Sequence, residues 1–311
     1  MSASGTTTPT PSSSRRGIER LPPAVPGGPS RPSDANLELV TGSDAPTPEF
    51  KLHALALIEE WERTALSAPP PGCEGFEAGF LRVYIHPQSA EAHLNVAVVV
   101  GAPDSVADAR RDVETLIGIF GDHGRDPNIE FSGARHPELS GLLESLGVPR
   151  LESHPLMACG PGMLTPVEAP GVAVRLLTAT DPDADLAAFA TIRGTDGQMS
   201  PPAEERHVSA LREALAAGRG RYALATLDGE VAGTAVLHDT RGLGEIVGVV
   251  TREPARRRRV ASAATAFLTG DHLARGGRLA FLDAVDGRAR SVYAGIGFKH
   301  LGEWLVHGRP A

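Results

Sequence analysis

The chain has 311 residues, of which 41% are hydrophobic and 22% charged, with a formal net charge of −8. That is enough apolar material for a sizeable core, so a wholly disordered chain is excluded. The acidic balance excludes a general nucleic-acid coat protein, which needs a basic face against phosphates.

The length sets a prior of two domains. Among the 30 basic residues only Lys51 and Lys299 are lysines. The two cysteines, Cys73 and Cys159, are too few for a disulfide framework or a cysteine-based zinc site. They read as free thiols in a reducing compartment, and a cytoplasmic location is expected. No apolar run reaches 18 residues, so no transmembrane helix is expected.

Residues 1–45 are rich in Ser, Thr, Pro and Gly without an apolar period, the composition of a disordered tail. The pair Arg15-Arg16 is followed by LPPAVPGGPS, whose prolines deny it the apolar stretch of an export signal. From Phe50, the spacing of Leu52, Leu55, Leu57, Ile58 and Trp61 predicts a helix over 50–66, broken by PPPG at 69–72. Strands are predicted at 80–85 and 95–101, a helix at 105–124, a strand at 128–131, a helix at 137–148 and a strand at 149–158. The Pro/Gly segment 160–171 reads as an interdomain linker. After it come a strand at 172–178, helices at 183–194 and 202–218, and strands at 221–227 and 231–237 around an Asp228-Gly229 turn. Then a strand at 245–251, a helix at 258–277, a strand at 278–285, a helix at 288–298 and a last strand at 299–307 are predicted. The expected organisation is a tail (1–45), a first domain (46–160), a linker (161–171) and a second domain (172–311).

The two halves repeat at a shift of 150 residues without a gap. Val99 and Val100 fall on Val249 and Val250, Phe131 on Phe281, Gly147 on Gly297 and Leu151 on Leu301. A duplicated strand–helix–strand–helix–strand unit is the reading. The copies differ in their chemistry. Glu245 stands opposite Asn95, Arg256–Arg259 opposite Val106, Ala107, Asp108 and Ala109, and Tyr293 opposite Leu143. A base, a basic loop and a phenol therefore occur only in the second copy, which points to a site kept in that half alone.

The basic loop joins a predicted strand to a predicted helix. Such a junction aims unpaired amides and the positive end of the helix dipole at an anion, and arginines add charge-assisted contacts to phosphate oxygens. The segment Arg256-Arg257-Arg258-Arg259-Val260-Ala261 resembles the acyl-CoA-binding signature Arg/Gln-x-x-Gly-x-Gly/Ala of the GNAT superfamily of N-acyltransferases. DGRARSVYAGIGF resembles a second motif of that family, through Ala289, Val292, Tyr293, Gly297 and Phe298, with Asp286 where Asn is common. The likeness covers about 165–311 well and about 50–160 as a degenerate copy. Two departures stand out. Arg259 takes the place of the signature's first glycine, and Glu253 stands where the family's loop usually has the proline that here is Pro254.

The resemblance implies an α/β fold of two tandem GNAT-like domains, each with a central mixed, mostly antiparallel sheet flanked by helices, the second domain being catalytic. It implies acetyl transfer from acetyl-CoA to a primary amine of a small molecule or peptide. Glu245, 11 residues before Arg256, is the implied general base, and Tyr293 the donor to the leaving thiolate. A backbone amide at Val249 or Val250 would stabilise the oxyanion. Thr251, Arg256, Arg257, Arg258, Arg259, Val260, Ala261, Ser262 and Asp286 are the expected cofactor contacts. Asp196, Glu204 and Glu205, in the loop 194–206, are candidates for favouring a cationic acceptor.

The histidines show no metal-ligand spacing, so no metal is expected. Neither a GxxxxGK[ST] loop nor a GxGxxG after a strand is present, which argues against nucleotide hydrolysis and nicotinamide chemistry. Two other readings remain open: a non-catalytic acyl-CoA sensor, favoured by Arg259, and transfer from aminoacyl-tRNA, disfavoured by the net charge. Acetyl-CoA and an amine are the expected partners, nucleic acid and membrane are not, and the protein is expected to be a monomer or homodimer.

Overall fold

The structure, a computed structural model, describes residues 44–309 apart from 66–68, 71, 91 and 195–204. In chain order it contains α1 (Pro48–Ala65), β1 (Glu74–Ala78), β2 (Leu81–Ile85), β3 (Val96–Val99), α2 (Val106–Asp122), β4 (Asn128–Ser132), α3 (Leu139–Ser145) and β5 (Arg150–Cys159). The second half contains β6 (Val172–Leu176), α4 (Asp183–Gly194), α5 (Glu205–Ala216), β7 (Arg221–Leu227), β8 (Glu230–Thr240) and β9 (Leu243–Thr251). It continues with α6 (Val260–Ala274), β10 (Leu279–Asp283), α7 (Gly287–Ala294) and β11 (Lys299–Gly308).

The predicted elements recur with shifts of a few residues at their ends. Two differences have physical causes. The strand β1, EGFEA, was not predicted, because its apolar period is interrupted by glycine and acidic residues; it forms by pairing antiparallel with β2. The helix predicted over 137–148 is shorter, because the chain enters it through Pro137 and leaves it at Gly147, whose φ is +78°. Hairpin chemistry holds at Asp228-Gly229, where both residues have positive φ, as a type I′ turn requires.

All eleven strands belong to one sheet in the order β1-β2-β3-β4-β11-β5-β10-β9-β8-β7-β6. The pairs β3–β4 and β9–β10 are parallel. The halves are not self-contained modules separated by a linker. Each gives its last strand to the other: β11 pairs with β4 of the first half, and β5 pairs with β10 of the second. The exchanged strands pair antiparallel with each other, and Trp304 lies opposite His154. Those two residues are related by the 150-residue repeat, so a pseudo-twofold axis passes through their pair. The register agrees on both sides of it: Glu303 faces Pro155 while Leu305 faces Ser153.

Side-chain alternation sends each strand's residues to two faces. On one face α6 and α7 pack on Ala223, Ala225, Ile246, Ala280 and Leu282, and α2 and α3 pack on Val83, Ala97, Phe131 and Leu305. On the other, α4 and α5 cover Leu224 and Val236. There α1 lies over Leu156, Leu243, Leu279 and Phe281, with Trp61 edge-on to Phe281 at 5.0 Å. Both cysteines are free. No described helix is long and apolar enough to cross a membrane.

Candidate active site

The site begins where two parallel strands part. β9 and β10 pair only at Leu243–Leu279, Gly244–Ala280 and Glu245–Phe281. Beyond that point β10 runs on to Asp283 against β5, while β9 runs on to Thr251 against β8. Glu245 is the last paired residue, at the apex of the opening. The β10-facing edge of β9 that carries Val249, Val250 and Thr251 has no strand partner. A bulge in the β8–β9 ladder between Thr234 and Val236 adds curvature there. It is seated on Gly248 at φ +57°. A Cβ at Gly248 would fall on the Arg193 guanidinium, the far end of a flexible side chain, so it is the backbone angle that calls for glycine.

Glu245 shares the sheet face of Leu243 and Val247, between α1 and α4. It is half-buried. Burial pushes its pKa up to about 7, with help from the negative charges of Asp283 and Glu130. A carboxylate titrating near neutrality suits a general base.

After β9 the chain makes one 3-10 turn, Glu253–Ala255, and passes through the four arginines into α6. All four are exposed. Arg257 and Arg259 have φ of +64° and +60°. Arg259 thus keeps the left-handed backbone that the family's glycine would adopt, at a cost of about 1–2 kcal/mol. Its side chain turns away and donates to the Glu168 carbonyl at 3.0 Å, and Arg258 reaches Asp228 at 3.5 Å.

No side chain caps α6, so the first-turn amides of Val260, Ala261 and Ser262 have no intrahelical acceptor. The counterpart helix of the first half is closed off. There Ser105 accepts from the Asp108 amide, and Asp108 adds negative charge to the first turn. One helix end is open to an anion and surrounded by arginine; its copy is self-satisfied and acidic.

Tyr293, on α7, is buried against Phe298, and its ring faces the α6 side of the sheet. Burial, and then the charge of Asp283, push its phenol up to about 12, so it is protonated at neutral pH. Asp286 is occupied as the N-cap of α7: its Oδ1 accepts from the Ala289 amide at 2.7 Å. It therefore fixes the helix that carries Tyr293. Asp196 and Glu204 lie outside the described residues, and Glu205 is exposed at the start of α5.

Sequence reasoning missed a group on the Glu245 side. Asp283 is on β10, two residues past Glu245's partner and on the same face. His154 Nδ1 lies 3.0 Å from its Oδ2, and His154 Nε2 lies 2.8 Å from Glu152. Farther along this face Trp304 Nε1 donates to Glu130 at 3.5 Å. The only signal in sequence was a carboxylate at a strand end; the rest depends on strand order. Among the described residues no group of His, Cys, Asp and Glu is arranged to hold a metal.

Residues 188–298 match the family model described as the acetyltransferase (GNAT) family. Among solved structures, the chain resembles a GCN5-related N-acetyltransferase from Kribbella flavida, at 24% identity over 81% of this chain and 95% of that one, with a TM-score of 0.66. It also resembles a GCN5-related N-acetyltransferase from Sphaerobacter thermophilus, at 17% identity over 82% and 85% of the two chains and a TM-score of 0.54. A tandem GNAT protein from the clavulanic acid biosynthesis pathway is 14% identical over 86% and 98%, with a TM-score of 0.56. No curated protein matches the sequence. Residues 188–298 thus match an acetyltransferase (GNAT) family model, and the chain shares its fold with a tandem GNAT protein.

Proposed function

We propose that the protein is an acetyl-CoA-dependent N-acetyltransferase acting on a primary amine of a small molecule or peptide, with its working site in the second half and a non-catalytic first half. The observation that carries this is the opening between β9 and β10, with Glu245 at its apex and an uncapped, arginine-flanked helix end at its mouth. The α6 amides and Arg256–Arg259 fit the phosphates of the acyl donor. An unpaired amide at Val249 or Val250 fits the thioester carbonyl oxygen.

An ammonium cannot attack a carbonyl, so the amine must first lose a proton, which Glu245 accepts, directly or through water. The nitrogen then bonds to the acetyl carbon, and the carbon–sulfur bond breaks. Tyr293 gives its proton to the departing sulfur and recovers one from solvent. Amide and free thiol are the products. Free thiols at Cys73 and Cys159 fit a reducing, cytoplasmic setting.

Calorimetry with acetyl-CoA, followed by a thiol-release assay over a panel of amines, tests the reading. Saturable binding with amine-dependent thiol release is expected. Binding without release for every amine would instead make the protein a sensor of acyl-CoA.

A further inference from the structure

The face of the sheet that holds Glu245 has a second population of polar residues, and half of it comes from the exchanged strand. Asp283 stands next to Glu245 across the opening. His154 and Glu152 reach it from β5, which belongs to the first half but pairs with β10 of the second. In the chain Glu152–His154–Asp283, the histidine bridges two carboxylates at 2.8 and 3.0 Å. The negative charge of Asp283 disfavours ionisation of both Glu245 and Tyr293.

One strand beyond β5, Trp304 lies directly opposite His154, and its indole faces Glu130. Ser132 is paired with Trp304 on the same face. It is wholly buried, and its hydroxyl has no hydrogen-bond partner among the described residues. A buried hydroxyl left without a partner is costly unless something else completes it. The arginines near this face are turned to other groups: Arg135 pairs with Glu59 and Glu62, and Arg193 lies against Gly248.

Resting on the acetyltransfer reading, we infer that this track is the acceptor site and that it selects a polycationic aliphatic amine. Asp283 holds the ammonium next to the reacting nitrogen, and Trp304 with Glu130 receives a more distant one. Carboxylates and an aromatic face are the chemistry that recognises such cations. His154 is a positioning residue: it fixes Asp283 from the other half of the molecule. The first half, without a cofactor site of its own, thereby supplies part of the acceptor site. Adjacent strands are about 4.8 Å apart, so β10 and β11 are about 10 Å apart sideways; Asp283 lies opposite Leu156 and Trp304 opposite His154, an offset of about 7 Å along the strands, so the two groups stand about 12 Å apart. That spacing suits an amine with charges separated by several methylenes.

The test compares spermidine with n-heptylamine on the full-length protein. The inference expects kcat/KM for spermidine at least tenfold above that for n-heptylamine. In Asp283→Asn this preference should collapse to within about twofold, chiefly through KM for spermidine, while the Kd for acetyl-CoA stays within about twofold of the parent. His154→Ala should raise KM for spermidine, and His154→Gln should recover most of the loss. Spermidine alone should quench tryptophan fluorescence in the parent and not in Trp304→Phe, a readout independent of turnover. Equal use of the two amines, or an unchanged preference in Asp283→Asn, overturns the inference while leaving acetyltransfer standing. Failure to bind acetyl-CoA at all overturns the acetyltransfer reading and this inference with it.

Discussion

At the scale of single residues, the site is defined by two groups whose surroundings move their protons in useful directions. Glu245 titrates near 7 because burial and two neighbouring carboxylates disfavour its charge. The resulting stability penalty has a definite sign. Below about pH 4.5 the carboxyl is protonated both folded and unfolded, and nothing is lost. Between 4.5 and about 7 the unfolded chain releases the proton and the folded one keeps it, so stability falls as pH rises; above 7 the loss is constant. Glu245→Gln is therefore expected to raise Tm at pH 8 and leave it unchanged at pH 4. It should also lower kcat/KM by about 10²–10⁴-fold and abolish an activity rise centred near pH 7. A pH series of calorimetric melts and initial rates checks both. For Tyr293→Phe, slower turnover with an acetyl-CoA Kd close to the parent value is expected; full activity in that variant would remove the phenol from the mechanism.

At the scale of elements, the junction from β9 to α6 holds a left-handed backbone at Arg259 although that residue is not glycine. The family's glycine is useful because it takes positive φ without a Cβ penalty. Arg259 takes the same φ of +60° and tolerates the strain because α6 and the 3-10 turn before it hold both ends. Arg259→Gly is accordingly expected to keep or raise Tm and to bind acetyl-CoA within about threefold of the parent. Arg259→Val, β-branched in a left-handed position, should cost about 1–3 kcal/mol. Thermal melts separate the two outcomes. Replacing Arg256, Arg257 and Arg258 together by serine should weaken acetyl-CoA binding and flatten its dependence on ionic strength, because exposed arginines act through screened charge. The α2 end differs: Ser105 caps it, and Asp108 adds negative charge to its first turn.

At the scale of the whole molecule, the exchange of β5 and β11 ties the halves together. Deleting β11 leaves β4 with an open edge, and it exposes β5 on the side that faced the first half. Separately produced halves, cut at the 160–171 segment, are expected to be insoluble or unfolded, whereas the intact chain should melt in one cooperative transition. Equal calorimetric and van't Hoff enthalpies would confirm the single unit, and two resolved transitions would contradict it. The exchange also gives the first half a structural part in the opening. It supplies β5, a wall of the opening, and through α1 it covers Leu279 and Phe281 beneath Glu245.

The sequence by itself determined most of the elements, β1 excepted, and the 150-residue repeat, because these depend on local periodicity, turn residues and short spacings. The arginine run points to an anion site through its place between a strand and a helix. Only the tertiary structure decided that the last strands change places. Strand pairing across 150 residues depends on long-range register, which no local window contains. The same holds for Asp283, His154 and Trp304, which are unremarkable in sequence. They become a site because the exchange places three strands from two halves side by side, with Glu245 at the point where the sheet opens.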